Sequence, residues 1–175
     1  MRKIALLASA LLLSACANTG TSTTGLNPQQ VQRLATITAS MPADHQARHT
    51  ARHPVETLSF FGVKPGDTVV EILPGDGWYS KILVPYLGKQ GELIGVDYNF
   101  DLWPKFGSWV NTEFLEGRKR WPAEFAANGK TWGGDDAAQV RAYNFATLPA
   151  DLTGKVDSVL FIRALHNLYR FENQG

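Results

Sequence analysis

The sequence has little cysteine and little excess charge. Cys16 is the only cysteine among 175 residues, so no disulfide can form within the chain. The formal net charge is only +1 and no basic run stands out beyond the N-terminus, which gives no general attraction to nucleic acid. No apolar run is long enough to span a bilayer. The 44% of hydrophobic residues is sufficient for one ordinary domain with a core.

The N-terminus is typical of an export signal. Arg2 and Lys3 precede an apolar segment over residues 4–13, a pattern that predicts a signal peptide. The sequence Leu-Ser-Ala-Cys ending at Cys16 resembles the bacterial lipobox, which implies that residues 1–16 are a lipoprotein signal and that the cysteine is lipidated. Because Ala17 is not aspartate, the resemblance favours an exported protein anchored in the outer membrane and facing the periplasm. The alternative is a simple secretory signal with an incidental cysteine.

The chain after the cysteine divides into a tether and one domain. Residues 17–27 contain many small polar residues and almost nothing to bury, which predicts a flexible tether. Residues 28–175 alternate strand and helix patterns, which predicts an α/β fold with a largely parallel sheet and helices on both faces. Four strands are predicted, at residues 68–73, 91–97, 139–144 and 156–164.

The first two predicted strands frame a glycine-rich corner. Gly75 and Gly77 lie between the first strand and a helix, where glycine permits positive φ and close approach of a ligand to the backbone. Asp97 ends the second strand, 20 residues after Gly77, where its carboxylate can accept hydrogen bonds from ribose hydroxyls. Ser80 occupies the third glycine position of a dinucleotide fingerprint, which disfavours a nicotinamide or flavin cofactor. The alternative is a tight turn with a solvated aspartate.

The motif Glu71-x-x-Pro-Gly75-x-Gly77 resembles the first motif of class I S-adenosylmethionine-dependent methyltransferases. Residues 48–172, including "RHPVETLSFFGVKPGDTVVEILPGDGWYSKILVPYL" and "VDSVLFIRALHNLYRFE", resemble an exported bacterial group of predicted methyltransferases. The resemblance implies a Rossmann-like fold that binds S-adenosylmethionine. It further implies that Glu71, Gly75 and Gly77 hold the methionine end, that Asp97 holds the ribose, and that Asn144 meets the adenine.

Three features depart from that family. Asn144 stands where the family has an acid after the third strand, although an amide can still hydrogen-bond an adenine edge. Leu73 stands where the common pattern has an additional glycine. Four strands are predicted where class I methyltransferases have seven, so the chain resembles a version truncated after the fourth strand. The fourth strand is therefore expected to form an exposed edge of the sheet.

His166 and Asn167 follow the fourth predicted strand. Ligands of open parallel sheets bind outside the carboxyl ends of the strands, so these residues are expected beside a methyl acceptor. His166 is the candidate catalytic base, and Asn167 is the candidate group that orients the acceptor. The alternative is that both residues cap the next helix.

The N-terminal half contains two further candidates. His45, His49 and His53 are spaced four apart, which could bind a metal on a helix. Interleaved arginines and the absence of a carboxylate on that stripe oppose a metal site, so a solvated face or a lid near the cofactor pocket is expected. Trp78 and Tyr79 could stack on a ligand or pack in the core.

The sequence therefore predicts a tethered methyltransferase that uses S-adenosylmethionine and an acceptor the sequence does not identify. The alternative is a non-enzymatic lipoprotein that keeps the fold to bind another small molecule or a protein. A nicotinamide-dependent oxidoreductase is the third candidate and is disfavoured.

Overall fold

The computed structural model describes residues 25–169. The predicted signal, Cys16 and most of the tether lie outside the described residues. Within them, helices and strands alternate after an N-terminal group of four helices. The helices are α1 (Pro28–Ala39), α2 (Ala43–Gln46), α3 (His49–Arg52), α4 (Pro54–Phe60), α5 (Ser80–Leu87), α6 (Thr112–Gly133) and α7 (His166–Tyr169). The strands are β1 (Thr68–Ile72), β2 (Glu92–Asp97), β3 (Gln139–Asn144) and β4 (Ser158–Leu160).

The first helix begins at a capping box. The backbone N–H of Asn27 donates to the side chain of Gln30, and the backbone N–H of Gln30 donates to the side chain of Asn27, both at 2.9 Å. Leu26, one residue earlier, is buried in the core. The prediction that the tether extends to residue 27 is therefore wrong at its end, because Leu26 already belongs to the folded domain.

The four strands form one parallel sheet in the order β3-β2-β1-β4. This order matches the first four strands of a Rossmann-like sheet, which confirms the predicted α/β fold. Among the described residues, β3 and β4 are the two edges of the sheet. Because all four strands run the same way, their carboxyl ends lie along a single rim.

The two faces of the sheet are covered differently. Helices α1, α5 and α6 pack against one face or against each other. The other face buries Ile72, Ile94 and Val96 beneath two 3₁₀ turns, Phe145–Thr147 and Ala150–Leu152. The expectation of helices on both faces is therefore not met within residues 25–169, where short turns cover the second face.

The longest helix, α6, continues through Asn128 and Gly129, a pair that is typical of a helix end. The helix ends at Gly133. Gly129 is buried within the helix, where a Cβ atom would overlap the side chain of Val140. Glycine therefore permits close helix-to-strand packing here instead of ending the helix. Within the described residues, no helix is both long enough and apolar enough to cross a membrane.

Candidate active site

A cavity of about 460 Å³ opens at the carboxyl ends of β1, β2 and β4. Open parallel sheets bind their ligands at this rim. Of the predicted site residues, Glu71, Gly75, Asp97 and Asn167 line the cavity. Arginine and aromatic side chains that sequence reasoning did not assign to the site complete its wall, namely Arg48, Arg52, Arg118, Arg163, Tyr98 and Trp103.

Glu71 lies near the end of β1 and is 5% exposed. The hydroxyl of Ser80, in the first turn of α5, donates to its carboxylate at 2.6 Å. Burial raises the pKa of Glu71 to about 7, an effect that the Ser80 hydrogen bond and the nearby positive charge of Arg52 oppose. Serine at the third glycine position is thus explained, because its hydroxyl partners the buried acid.

The corner between β1 and α5 contains three residues with positive φ: Leu73 at 52°, Gly75 at 58° and Gly77 at 73°. Leu73 has the left-handed conformation at the position where the family pattern has glycine. Because this conformation is unfavourable for a residue with a side chain, the backbone at Leu73 is strained. A Cβ atom on Gly75 would meet nothing within 4 Å, whereas one on Gly77 would lie 3.0 Å from the ring of Trp132. Gly75 therefore faces the ligand space, and Gly77 permits packing against α6.

Asp97 is buried at the end of β2 and lines the cavity. One carboxylate oxygen accepts the backbone N–H of Tyr98 at 2.8 Å, and the other accepts Arg118 from α6 at 3.1 Å. Burial raises the pKa of Asp97, while these two donors oppose the shift. Each carboxylate oxygen can accept more than one hydrogen bond, so Asp97 retains acceptor capacity toward the cavity.

Tyr98 and Trp103 form an aromatic wall beside Asp97. Their rings meet edge to face with centroids 5.1 Å apart, and the guanidinium of Arg118 lies over the Trp103 ring at 5.4 Å. The Trp103 Nε1 is buried and has no hydrogen-bond partner among the described residues, whereas the buried Tyr98 hydroxyl interacts with the side chain of Asn167. Unpaired buried donors are uncommon, so a polar planar ligand that accepts hydrogen bonds fits this end of the cavity.

The helices before β1 cover the opposite end. The ring of His45 stacks on the ring of Trp78 with centroids 4.2 Å apart, and His45 Nε2 lies 2.9 Å from the Trp78 carbonyl oxygen. The guanidinium of Arg52 also lies over the Trp78 ring, 4.6 Å from its centroid. Trp78 is 8% exposed and also lines the cavity. Both roles considered for Trp78, core packing and contact with a ligand, are therefore compatible with its position.

The three spaced histidines do not share one helix face. His45 Nδ1 lies 3.3 Å from His49 Nε2, but His53 has φ 43° and ends α3 in the left-handed conformation. Arg48 and Arg52, from the same segment, line the cavity. Part of the segment therefore borders the cavity, a position that is compatible with the lid interpretation.

Three predicted site residues lie away from the cavity wall. Gly77 packs against Trp132, as described above. Asn144 forms hydrogen bonds within the protein. Its side-chain amide donates to the Tyr98 carbonyl oxygen, and its backbone N–H donates to the Thr147 hydroxyl. His166 begins the short helix α7 and is exposed. The contacts predicted for these residues therefore have no support from their positions, in contrast to Asn167, which lines the cavity.

No family model and no curated protein matches the chain. A solved structure with a similar arrangement is an arsenic(III) S-adenosylmethionine methyltransferase from Chlamydomonas reinhardtii, with a TM-score of 0.32 and 14% sequence identity. The match covers 64% of this chain and 31% of that protein, so the chain spans about a third of its neighbour. A likeness this distant carries no weight for activity.

Proposed function

We propose that the cavity binds S-adenosylmethionine and that the protein transfers its methyl group to an acceptor. The observation that carries the proposal is the order of chemical groups along the rim. A buried carboxylate, Glu71, lies at β1, a second carboxylate, Asp97, lies at the adjacent β2, and an aromatic wall follows. This order matches the cationic methionine end, the ribose and the adenine of that molecule.

The individual groups fit the ligand. Glu71 can balance the positive charge of the sulfonium and ammonium groups, and the open space at Gly75 admits a chain close to the backbone. Asp97 can accept the ribose hydroxyls with its remaining lone pairs. The unpaired indole N–H of Trp103 and the Tyr98 hydroxyl beside it can meet the ring nitrogens of an adenine. With Asn144 engaged elsewhere, these two residues take over the adenine contact.

The remaining group of the methionine end is a carboxylate, and Arg52 is its best partner. Arg52 is half-buried at the Glu71 end of the cavity, and no acid of the described residues forms an ion pair with it. Its Nε is buried without a hydrogen-bond partner among the described residues. A guanidinium can bind a carboxylate through two parallel hydrogen bonds. Arg52 is therefore assigned to the methionine carboxylate.

The chemistry needs mainly positioning, because the sulfonium of the bound donor already activates the methyl group. Holding two reactants in the right geometry can lower a barrier by several kcal/mol, about 7–11 in favourable cases. Asn167 lies on α7 and lines the cavity, which supports assigning its amide the role of orienting an acceptor. The exposed position of His166 gives no support to its role as a base.

Isothermal titration with S-adenosylmethionine tests the proposal. Asp97→Ala should weaken binding by roughly tenfold or more, because a charge-assisted hydrogen bond contributes about 1.5–3 kcal/mol and 1.4 kcal/mol is one decade. Asp101→Ala is the matched control, since Asp101 is exposed and outside the cavity wall. Absence of binding by folded wild-type protein contradicts the proposal. If NAD binds more tightly than S-adenosylmethionine, the proposal is also contradicted, in favour of an oxidoreductase.

A further inference from the structure

Three arginines from two segments of the chain line the cavity, and none of them has an acidic ion-pair partner among the described residues. Arg48 directly precedes α3, Arg52 ends that helix, and Arg163 follows β4. Within residues 25–169 none of them forms an ion pair, whereas Arg118 on the same wall is paired with Asp97 at 3.1 Å. After burial, repulsion by Arg48 is the next cause that lowers the pKa of Arg52, and Arg163 adds to it. The three guanidinium groups therefore form a real cluster of positive charge.

The cavity does not hold enough negative charge to balance this cluster. Asp97 is used by Arg118, Glu71 faces the methionine end, and the remaining carboxylate on the wall is the exposed Asp76. S-adenosylmethionine brings two positive charges and a single carboxylate, so its binding increases the imbalance. With Arg52 assigned to that carboxylate, Arg48 and Arg163 remain without an anion.

The strain at Arg163 points the same way. Its φ of 60° is left-handed, a conformation that is unfavourable for a non-glycine residue. Strained residues that persist are concentrated at ligand sites. Arg163 lies between β4 and Asn167, on the side of the cavity where an acceptor would approach, and its side chain is exposed.

The cavity also lacks a suitable base for a neutral acceptor. No histidine or lysine of the described residues lines it. Glu71 has a pKa of about 7, but it is bonded to Ser80, and a cation bound at its end of the cavity would lower that pKa further. General-base catalysis works best with a group that titrates near the working pH. An acceptor that is already ionised at neutral pH avoids this requirement.

We infer that the methyl acceptor is a carboxylate, bound by Arg48 and Arg163 at the mouth of the cavity. The inference rests on the proposed function and specifies its second substrate. A carboxylate oxygen of the acceptor forms a bond to the methyl carbon while the carbon–sulfur bond of the sulfonium breaks. The electron pair of that bond stays on sulfur, which becomes a neutral thioether, and no proton is transferred. The product is a methyl ester.

The test uses benzoate as the carboxylate probe and benzamide as its uncharged counterpart. Both are titrated into the full chain saturated with S-adenosylhomocysteine, which occupies the donor end. We expect benzoate to bind about tenfold or more tightly than benzamide, the ratio that one charge-assisted hydrogen bond supports. The double variant Arg48→Gln, Arg163→Gln should lose this ratio while its affinity for S-adenosylhomocysteine stays within about twofold.

Arg120→Gln provides the matched control, because Arg120 lies on α6 outside the cavity and pairs with Glu124. It removes one positive charge and should leave the ratio unchanged. Equal binding of benzoate and benzamide overturns the inference, as does an equal loss in the control. Phenyl phosphate binding much more tightly than benzoate overturns the carboxylate class in favour of a phosphate ester. If S-adenosylhomocysteine does not bind, the result contradicts the proposed function, and therefore also the inference that rests on it.

Discussion

Glu71 shows at the scale of one residue how burial sets chemistry. Its carboxylate is removed from water and receives one short hydrogen bond, from Ser80. One such bond compensates only part of the cost of burying a charge, so the pKa rises from 4.5 to about 7. The Glu71 carboxyl group is therefore about half ionised near neutral pH. A cation that binds beside it would favour the ionised form.

This residue makes the stability of the unliganded protein depend on pH. The folded-state pKa, about 7, lies above the unfolded value of 4.5, so ionisation favours the unfolded state. The contribution of Glu71 to the free energy of unfolding is therefore most favourable below about pH 4.5. It is lost as the pH rises from there to about 7. Glu71→Gln keeps an acceptor for Ser80 and removes the charge. In urea unfolding at pH 8 the variant should be the more stable, by an amount on the order of 3 kcal/mol.

At pH 5 that advantage should largely disappear, because Glu71 is then mostly protonated in the folded wild type. A stabilisation of equal size at both pH values would mean that the side chain acts through packing alone. A destabilised variant at pH 8 would show that Glu71 is ionised and well paired in the unliganded protein, contrary to its burial.

At the scale of elements, the β1–α5 corner separates two uses of glycine. Gly75 and Gly77 both have positive φ, so alanine at either position costs roughly 1–2 kcal/mol in backbone strain. Only at Gly77 does the added methyl also press on another side chain, Trp132 of α6. Gly77→Ala should therefore lower the free energy of unfolding more than Gly75→Ala. Urea denaturation of both variants measures the difference.

Ligand affinity should show the opposite order. The methyl of Gly75→Ala enters open space on the cavity wall, so this variant should weaken S-adenosylmethionine binding more than Gly77→Ala does under conditions where both are folded. If the two variants lose affinity equally, the assignment of Gly77 to packing is wrong.

Elements with local signals could be predicted from the sequence, and those set by distant contacts could not. The capping box fixed the start of α1 at Pro28, and a β-strand pattern between two turns gave β3 its observed bounds. The sequence alone does not locate the end of α6, because glycine is a usual helix terminator and the role of Gly129 here depends on Val140, a residue of another element. β4 is shorter than predicted, since only Ser158–Leu160 pairs with β1.

The candidate site divides in the same way at the scale of the whole molecule. Gly75 and Asp97 were predicted because their spacing along β1 and β2 places them together, and Glu71 was predicted from the resemblance of its motif to that of class I methyltransferases. Arg118 lies 21 residues after Asp97 on α6, and no local pattern joins it to the acid. Asn144 had a suitable side chain at a suitable strand end, but its hydrogen bond to the Tyr98 backbone depends on how the loop after β2 folds.

The edge strand β4 leads to a prediction about association. Val159 is 61% exposed on a strand that, among the described residues, pairs only with β1. Unpaired edges promote association between chains, and a charged side chain on the edge opposes it. The 175-residue chain should self-associate at high concentration, and Val159→Lys should reduce this in sedimentation velocity. Leu148→Lys, at a position 40% exposed and outside the strands, should have no such effect; a monomeric wild type contradicts the prediction.

The central claim, that this cavity binds S-adenosylmethionine beside Glu71, is tested most directly by measuring the pH dependence of binding. Isothermal titration of wild type and Glu71→Gln between pH 5.5 and 8 isolates the contribution of this one carboxyl group. A cationic ligand favours the ionised acid, so wild-type affinity should rise with pH until about pH 7 and then level off. The glutamine variant should bind more weakly at pH 8 and lack this rise. Parallel pH profiles in the two proteins, or no binding by the wild type at pH 8, would contradict the claim.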